Sequence, residues 1–209
     1  MLIKLEYLVK KYDLKIKGVL AIGAHYLEEY EDYAKAGIKN IIAFEPCKDA
    51  YSVLLKKFGH GYAENVDLVN CGLGEEDGVF DMYVSKNNQG QSNSILKPKV
   101  HLSQHPDIVF DSTEKVIIRK LDNVVFDRTK FNMINADVQG NEGFVFKGAK
   151  ETLKHIDIVY TEVNRAEVYE NCIQVEELDE ILSDFKRVET KWCGSWGDSL
   201  YLSKSILNK

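Results

Sequence analysis

The chain has little proline and no long uninterrupted hydrophobic run. Only three prolines occur in 209 residues, and residues are 44% hydrophobic, so we expect a sizeable core in one domain spanning residues 1–209. Residues 1–17 mix lysines with apolar residues and lack an unbroken apolar stretch. This pattern favours a leading helix over a signal peptide or a membrane span.

Cysteine pairs and excess positive charge are also missing. The four cysteines, Cys47, Cys71, Cys172 and Cys193, form no C-x-x-C motif. Their scatter favours free thiols in a reducing, cytoplasmic environment over a disulfide framework or a zinc site. The formal net charge of −6 and the lack of Lys/Arg clusters argue against a nucleic-acid partner and favour small or neutral substrates.

Residues 18–46, GVLAIGAHYLEEYEDYAKAGIKNIIAFEP, predict a strand, a turn at Gly23, a helix ending near Gly37, and a second strand. Glu45 follows that second strand. In doubly wound folds, a carboxylate at this place accepts hydrogen bonds from a ribose diol. The segment therefore predicts a nucleoside-type ligand, with a plain βαβ packing turn as the alternative. The G-x-G-x-x-G fingerprint and the P-loop are both absent.

Hydrophobic periodicity extends the α/β pattern through the rest of the chain. It predicts helices at 49–58, 142–153 and 175–185 and buried strands at 66–70, 131–136 and 156–163. Two alternating segments, 78–85 and 115–121, flank a polar loop and predict an antiparallel insertion, and residues 187–204 predict a closing β-hairpin. A sheet that ends in such a hairpin fits the Rossmann-like fold of class I methyltransferases better than a nicotinamide-binding layout. A nicotinamide-dependent oxidoreductase remains the alternative.

Several motifs resemble those of the FkbM family of methyltransferases. They are GAH, IIAFEP, LVNCGLGEEDG, VIIRKLDNVV and NADVQGNEGFVFKGA, and together the resemblance covers residues 18–204. Further stretches, including SNSILKP, HLSQHPD, YTEVNRAEVYENC and WGDSLY, resemble a branch often found beside glycan-building enzymes. The resemblance implies transfer of a methyl group from S-adenosylmethionine to a sugar or glycan hydroxyl. The chain could act alone or as part of a larger glycan-building protein.

The resemblance also implies a set of cofactor-binding residues after the first four strands. They are Ile22, Gly23, Ala24, His25, Glu45, Pro46, Cys71, Gly72 and Asp137. Many family members carry an acid where this chain has Ala21, and a glycine where it has Leu27. Glu28 or Glu29 could replace the missing charge. These departures leave a catalytically silent nucleoside-binding module as a further alternative.

Methyl transfer to a sugar hydroxyl needs a group that takes the hydroxyl proton. The catalytic candidates are Asp137, His101 and His105, although loop histidines are commonly just solvated. The predicted substrate-binding residues are Glu162, Asn164, Trp196 and Asp198; a buried polar network and a core tryptophan are the alternatives. Oxygen ligands from Asp137, Glu162 and Asn164 could also hold Mg²⁺ or Mn²⁺.

Overall fold

The computed structural model describes residues 1–59, 63 and 65–207. The strands are β1 (Val19–Ile22), β2 (Ile41–Phe44), β3 (Val66–Val69), β4 (Gly72–Leu73), β5 (Gly78–Val84), β6 (Ser112–Arg119), β7 (Met133–Ala136), β8 (Ile158–Asn164), β9 (Phe185–Cys193) and β10 (Trp196–Ser203). The α-helices are α1 (Leu5–Tyr12), α2 (Tyr30–Lys35), α3 (Lys48–Phe58), α4 (Val100–Gln104), α5 (Glu142–Lys147), α6 (Lys150–Leu153), α7 (Val175–Ile181) and α8 (Lys204–Leu207). The leading helix, the predicted strands and the closing hairpin are thereby confirmed.

A seven-stranded sheet forms the centre of the molecule, in the order β3-β2-β1-β7-β8-β10-β9. Strands β3, β2, β1, β7 and β8 run parallel, whereas β10 is antiparallel to both β8 and β9. Because parallel strands end at the same edge, the segments that follow β1, β2, β7 and β8 meet there. The α/β fold with a Rossmann-like sheet and a C-terminal hairpin is confirmed.

Both faces of this sheet are covered by helices. The residues of β1 and β2 are all buried, as their continuous apolar runs predict. Helices α1, α2 and α3 pack on one face through Leu8, Tyr33 and Leu54. Helices α5 and α7 pack on the other face through Phe146 and Leu178.

Four predicted helices were wrong in extent. The leading helix expected within residues 1–17 spans only Leu5–Tyr12, and the helix expected over 175–185 ends at Ile181, since Phe185 already begins β9. The helix expected over 142–153 is divided into α5 and α6 at Gly148, where an added Cβ would lie 2.0 Å from the carbonyl oxygen of Gly74. The helix after β1 begins only at Tyr30, because His25 and Leu27 adopt left-handed backbone conformations with φ of 48° and 52°. Those conformations interrupt a right-handed helix.

The insertion forms a second sheet of three strands, ordered β4-β6-β5. Strands β5 and β6 are antiparallel as predicted, but β4 adds to β6 in parallel, so the sheet is mixed. The polar loop between β5 and β6 also contains α4, which the sequence did not predict. Within the described ranges, no helix combines the length and apolar character that a membrane crossing requires.

Candidate functional site

A cavity of about 500 Å³ lies at the carboxyl edge of the central sheet, and its other wall is the polar segment between β5 and β6. This volume is in the usual range for small-molecule sites. Twelve of the predicted site residues line it: Ile22, Gly23, Ala24, His25, Glu45, Pro46, Gly72, His101, His105, Asp137, Glu162 and Trp196. Residues predicted from separate parts of the chain therefore share one cavity.

The turn after β1 depends on the glycine at position 23. Gly23 has a φ of 74°, and its backbone N–H and that of Ala24 both donate to the carbonyl oxygen of Phe44 at 3.0 Å. A Cβ added to Gly23 would lie 2.0 Å from the carbonyl oxygen of Asp137. Only glycine combines this conformation with so close an approach, so the turn holds β1, β2 and the end of β7 together.

Glu45 is fixed by the two turns that flank it. Its Oε2 accepts the backbone N–H of His25 and its Oε1 accepts that of Cys47, each at 2.8 Å. Burial raises the pKa of Glu45 to about 7, against the opposing effect of these two hydrogen bonds. A carboxylate has about four lone-pair sites, so both oxygens retain capacity for a ligand hydroxyl.

The structure shows the surroundings of Leu27 and Ala21, the two residues that depart from the pattern implied by the resemblance. Leu27 lies in the left-handed region with a φ of 52°, which glycine would adopt without strain, and its side chain is buried in the core. Ala21 pairs in register with Asn135, and both line the cavity. Asn135 donates to the hydroxyl of Tyr33 at 2.6 Å. A neutral amide and a small side chain thus occupy this part of the wall.

Gln139 connects the two carboxylates at the ends of β7 and β8. Its Nε2 lies 2.6 Å from Oδ1 of Asp137 and 3.4 Å from Oε2 of Glu162. The side-chain Oε1 of Gln139 accepts a hydrogen bond from the hydroxyl of Tyr169 at 2.9 Å. The backbone carbonyl oxygen of Gln139 accepts one from the hydroxyl of Ser94 at 2.7 Å. The sequence did not predict these contacts of Gln139, although the next residue, Gly140, indicates the turn in which Gln139 lies.

The carboxyl groups around Gln139 titrate at unusually high pH. Asp137 is open to the cavity, but the cavity lies deep in the protein, and desolvation raises its pKa to about 6. Burial, assisted by the charge of Asp137, raises the pKa of Glu142 to about 7. Burial also raises the pKa of Glu162 well above its ordinary value. Glu142 accepts the N–H of Val138 at 2.8 Å and thereby fixes the turn.

The segment between β5 and β6 is tied to the turn after β1. The Nε2 of His25 lies 2.9 Å from the carbonyl oxygen of Gln89, and its Nδ1 lies 2.7 Å from Oε1 of Glu28. Deeper in the segment, Ser92 is held by Nδ2 of Asn88 at 2.8 Å and lies 3.1 Å from Nε2 of His101. The polar loop is therefore an anchored wall of the cavity.

The two candidate histidines differ in environment. His101 lies in α4 and is only 4% exposed, so the expectation that both histidines occupy a loop was wrong for His101. Burial, assisted by His105, lowers the pKa of His101 to about 4, which keeps the ring neutral at neutral pH. Helix α4 ends before His105, as expected for a residue that precedes proline. The ring centroids of His101 and His105 are 5.0 Å apart.

Three predicted site residues are not among the residues that line the cavity: Cys71, Asn164 and Asp198. Cys71 is buried, and this burial raises its thiol pKa to about 11. Asn164 is 1% exposed at the end of β8. The carboxylate of Asp198 accepts hydrogen bonds from the hydroxyl of Tyr160 and the backbone N–H of Leu2, which direct it away from a ligand.

The predicted divalent cation gains no support from the structure. Over the described positions, no group of three or more His, Cys, Asp or Glu side chains is arranged to hold a metal ion. Asp137 and Glu162 share Gln139 as their hydrogen-bond partner, and Asn164 lies outside the cavity lining.

The sequence profile of the Methyltransferase FkbM domain matches residues 21–189, which include most of the cavity lining. The chain belongs to the FkbM methyltransferase family. It is 30% identical over 168 residues to the 2-O-methyltransferase NoeI of Sinorhizobium fredii, and the match covers 77% of this chain and 68% of that protein. The name of this relative describes a methyltransferase that acts on an oxygen atom, and the family to which this chain belongs is likewise one of methyltransferases.

Solved structures show the same fold as this FkbM domain. Methyltransferase FkbM from Methylobacillus flagellatus KT superposes with a TM-score of 0.57 and 14% sequence identity. The match covers 88% of this chain but only 43% of that protein. A second neighbour is Streptococcus pneumoniae Sp1610, a protein proposed to be a tRNA (m1A22) methyltransferase, in complex with S-adenosyl-L-methionine. It superposes with a TM-score of 0.52 and 14% sequence identity, and the match covers 95% of this chain and 71% of that one. These neighbours confirm a class I methyltransferase architecture.

Proposed function

We propose that the chain is an S-adenosylmethionine-dependent O-methyltransferase that acts on a hydroxyl of a sugar or glycan. One observation carries the proposal: the Gly23 turn, Glu45 and Asp137 line the same cavity at the carboxyl edge of a parallel sheet. Open α/β sheets bind their ligands at this edge. The 2-O-methyltransferase relative and the cofactor-bound neighbour of the same fold support the chemistry.

The residues of the first two turns fit the cofactor. Both oxygens of Glu45 keep a free lone pair towards the cavity, which suits the two hydroxyls of a ribose. The segment from Ile22 to His25 offers backbone close to the ligand because Gly23 carries no side chain. Pro46 and Gly72 line the adjoining wall, where a flat base would lie.

The acidic lining complements the charge of this cofactor. S-adenosylmethionine supplies a methyl group on a positively charged sulfonium, and transfer to oxygen leaves the neutral thioether S-adenosylhomocysteine. Asp137 and Glu162 lie in the part of the cavity next to the Gly23 turn, where carboxylates stabilise positive charge in a medium of reduced dielectric constant. Glu28 and Glu29 add negative charge at the rim and take the place of an acid at Ala21.

Asp137 is the best candidate for the group that takes the hydroxyl proton. Its carboxylate faces the cavity, and its pKa of about 6 is close to a neutral working pH, which favours proton transfer in the transition state. His101, with a pKa of about 4, is a weaker base. We therefore assign His101 and His105 to contacts with the acceptor, on the wall opposite Asp137.

The acceptor would lie between the insertion and the end of β10. Trp196 is half-buried at the cavity wall, and an indole face suits the apolar face of a sugar ring. Glu162 can accept a hydroxyl of the same ring. Asn164 and Asp198 are the cross-strand partners of Trp196 and Glu162 in the pairing of β8 with β10, and we assign them to the support of these two residues.

Transfer of a labelled methyl group tests this function. Wild-type protein is incubated with methyl-labelled S-adenosylmethionine and a panel of oligosaccharides, glycolipids and nucleotide sugars. We expect label in a sugar hydroxyl, and about 100-fold slower transfer by Asp137→Asn with unchanged folding and unchanged binding of the neutral thioether S-adenosylhomocysteine. Asp81→Asn, on the outer face of the second sheet, should match wild type. Unchanged transfer by Asp137→Asn would remove Asp137 from the mechanism.

A further inference from the structure

The cavity is lined by acids without an accompanying lysine or arginine, as far as the structure describes it. Among the residues that the structure describes, its lining includes five carboxylates but neither lysine nor arginine. The carboxylates are Glu28, Glu29, Glu45, Asp137 and Glu162. The amino group of Met1 also reaches the lining, but it lies 3.6 Å from the carboxylate of Glu29.

The histidines in the lining do not replace a lysine or arginine. His101 is neutral at neutral pH because burial lowers its pKa to about 4. Both ring nitrogens of His25 are already engaged, one by Glu28 and the other by the carbonyl oxygen of Gln89. His105 alone remains among these three as a possible donor to an anion.

Two backbone amides of the turn before helix α5 are engaged as well. Helix α5 begins beside Asn141, which lines the cavity. The carboxylate of Glu142 accepts the N–H groups of Val138 and Gly140, at 2.8 and 3.3 Å. A buried carboxylate thus occupies the turn between β7 and α5.

The lysines of the segment between β5 and β6 do not line the cavity. The Nζ of Lys97 lies 2.9 Å from Glu170, and Lys99 forms an ion pair with Glu167. The third, Lys86, is exposed outside the lining. Arginine and lysine, the two side chains that most often hold phosphate, are therefore missing from the described part of this cavity.

The acceptor wall offers uncharged hydrogen-bonding groups instead. The segment between β5 and β6 contributes amides and hydroxyls from Asn88, Gln91, Ser92, Asn93 and Ser94. Such groups match the alternating donors and acceptors of sugar hydroxyls. A nucleoside diphosphate, in contrast, would meet carboxyl groups and neither lysine nor arginine in the described lining, so its negative charges would gain no ion pair with such a side chain.

We propose that the acceptor is a sugar without a phosphate, sulfate or carboxylate beside it, so methylation follows glycosyl transfer and does not act on the nucleotide-activated sugar. This inference rests on the proposed function. It places a glycosyltransferase reaction before this enzyme, because that reaction releases the nucleoside diphosphate and leaves an uncharged glycoside. The anionic half of a nucleotide sugar is then the feature that the cavity rejects.

Calorimetry with nucleoside diphosphates tests this rejection without knowledge of the sugar. Protein saturated with S-adenosylhomocysteine is titrated with UDP, GDP and dTDP, and with CMP, at a pH of about 8. We expect no saturable binding with a dissociation constant below about 1 mM. Saturable binding of any of these nucleotides would overturn the inference, and its loss in His105→Gln would identify His105 as the anion contact.

A second arm uses matched acceptors. Methyl glycosides and short glycans of glucose, galactose, mannose and N-acetylglucosamine are compared with UDP-glucose, UDP-galactose, GDP-mannose and UDP-N-acetylglucosamine. Label in any glycoside but in none of the nucleotide sugars supports the inference, and label in a nucleotide sugar overturns it. If S-adenosylhomocysteine itself does not bind, the proposed function fails first. If it binds and a nucleotide sugar is methylated, only the present inference fails.

Discussion

The side-chain amide nitrogen of Gln139 lies 2.6 Å from Oδ1 of Asp137, the residue that we propose as the base. The same nitrogen reaches Glu162 at 3.4 Å, and the amide oxygen accepts the hydroxyl of Tyr169. One uncharged side chain therefore fixes two neighbouring carboxylates. It also joins the central sheet to the segment that carries Tyr169.

Removal of this amide should shift the titration of Asp137. The hydrogen bond from Gln139 lowers the pKa of Asp137 and so opposes the effect of desolvation. In Gln139→Ala the pKa should rise above about 6, and the acid limb of the pH–rate profile should move to higher pH. We also expect kcat to fall by about 10-fold or more, since the carboxylate loses its orientation. A lower kcat with an unmoved acid limb would contradict this role.

Gly23 and Gly37 offer a matched pair for testing the turn. Both have a φ of 74°, but an added Cβ would lie 2.0 Å from the carbonyl oxygen of Asp137 at Gly23 and meet nothing within 4 Å at Gly37. Gly37→Ala should therefore cost only backbone strain, about 1 kcal/mol of unfolding free energy. Gly23→Ala should cost at least about 3 kcal/mol. Chemical denaturation measures both values, and equal losses would contradict the close approach.

The ligand-free protein should become less stable as the pH rises through neutrality. Burial raises the pKa of Glu45 and of Glu142 from 4.5 to about 7, so between these pH values the folded state binds more protons than the unfolded state. Stability contributed by such groups is complete below about 4.5 and is lost as the pH approaches 7. Glu162 acts in the same direction.

His101 works against this trend at lower pH, because its pKa is lowered from 6.5 to about 4. The decline should therefore be clearest between pH of about 6.5 and about 7, where His101 is mostly neutral in both states and Glu45 and Glu142 still lose protons in the folded state. Urea unfolding at several pH values in this window should show an unfolding free energy that falls as the pH rises. Each of the three glutamates should contribute at most about 1.4 kcal/mol per pH unit. Glu45→Gln should flatten the slope. A slope unchanged in Glu45→Gln would show that Glu45 titrates normally.

His25 should hold the wall of the cavity most firmly when its ring is protonated. The two partners of the ring, Oε1 of Glu28 and the carbonyl oxygen of Gln89, both only accept hydrogen bonds, so both contacts require an imidazolium. Desolvation lowers the pKa of His25, but these hydrogen bonds outweigh it and raise the pKa above its ordinary value. Glu45 also faces this ring, and Tyr26 stacks on it at 3.8 Å.

Amide hydrogen exchange at residues 86–93 measures this contact. After correction for the intrinsic rate, protection should fall between pH of about 6 and about 8 in wild type, as one ring proton is lost. The variant His25→Gln should show low protection at both pH values. Equal, pH-independent protection in both proteins would mean that the insertion is anchored without His25.

The fold was predictable because its signals are local. The apolar run before Gly23, the helical spacing after it and Glu45 at the end of β2 are all contained within residues 18–46. Parallel strands then bring Glu45 and Asp137 to one edge, whatever the detailed packing. The sequence therefore sufficed for the sheet, its closing hairpin and the twelve predicted site residues that line the cavity.

The remaining features depend on contacts between distant segments. Asp198 is an acid at the right sheet edge, but its carboxylate is engaged by the backbone of Leu2, which lies 196 residues away. The contact between His25 and Gln89 spans 64 residues and requires the insertion to fold back over the sheet. The positive φ at Leu27 had one sequence signal, because the resemblance to the FkbM family implies a glycine at this position.

Calorimetric titration with S-adenosylhomocysteine tests the central claim most directly. Wild type should bind it saturably, with a dissociation constant of micromolar order, and should not bind NAD. Glu45→Gln should bind at least about 10-fold more weakly, because the carboxylate that would accept the ribose hydroxyls becomes a neutral amide. The exposed control Glu76→Gln should match wild type. Failure of wild type to bind S-adenosylhomocysteine, or saturable binding of NAD in its place, would contradict the account.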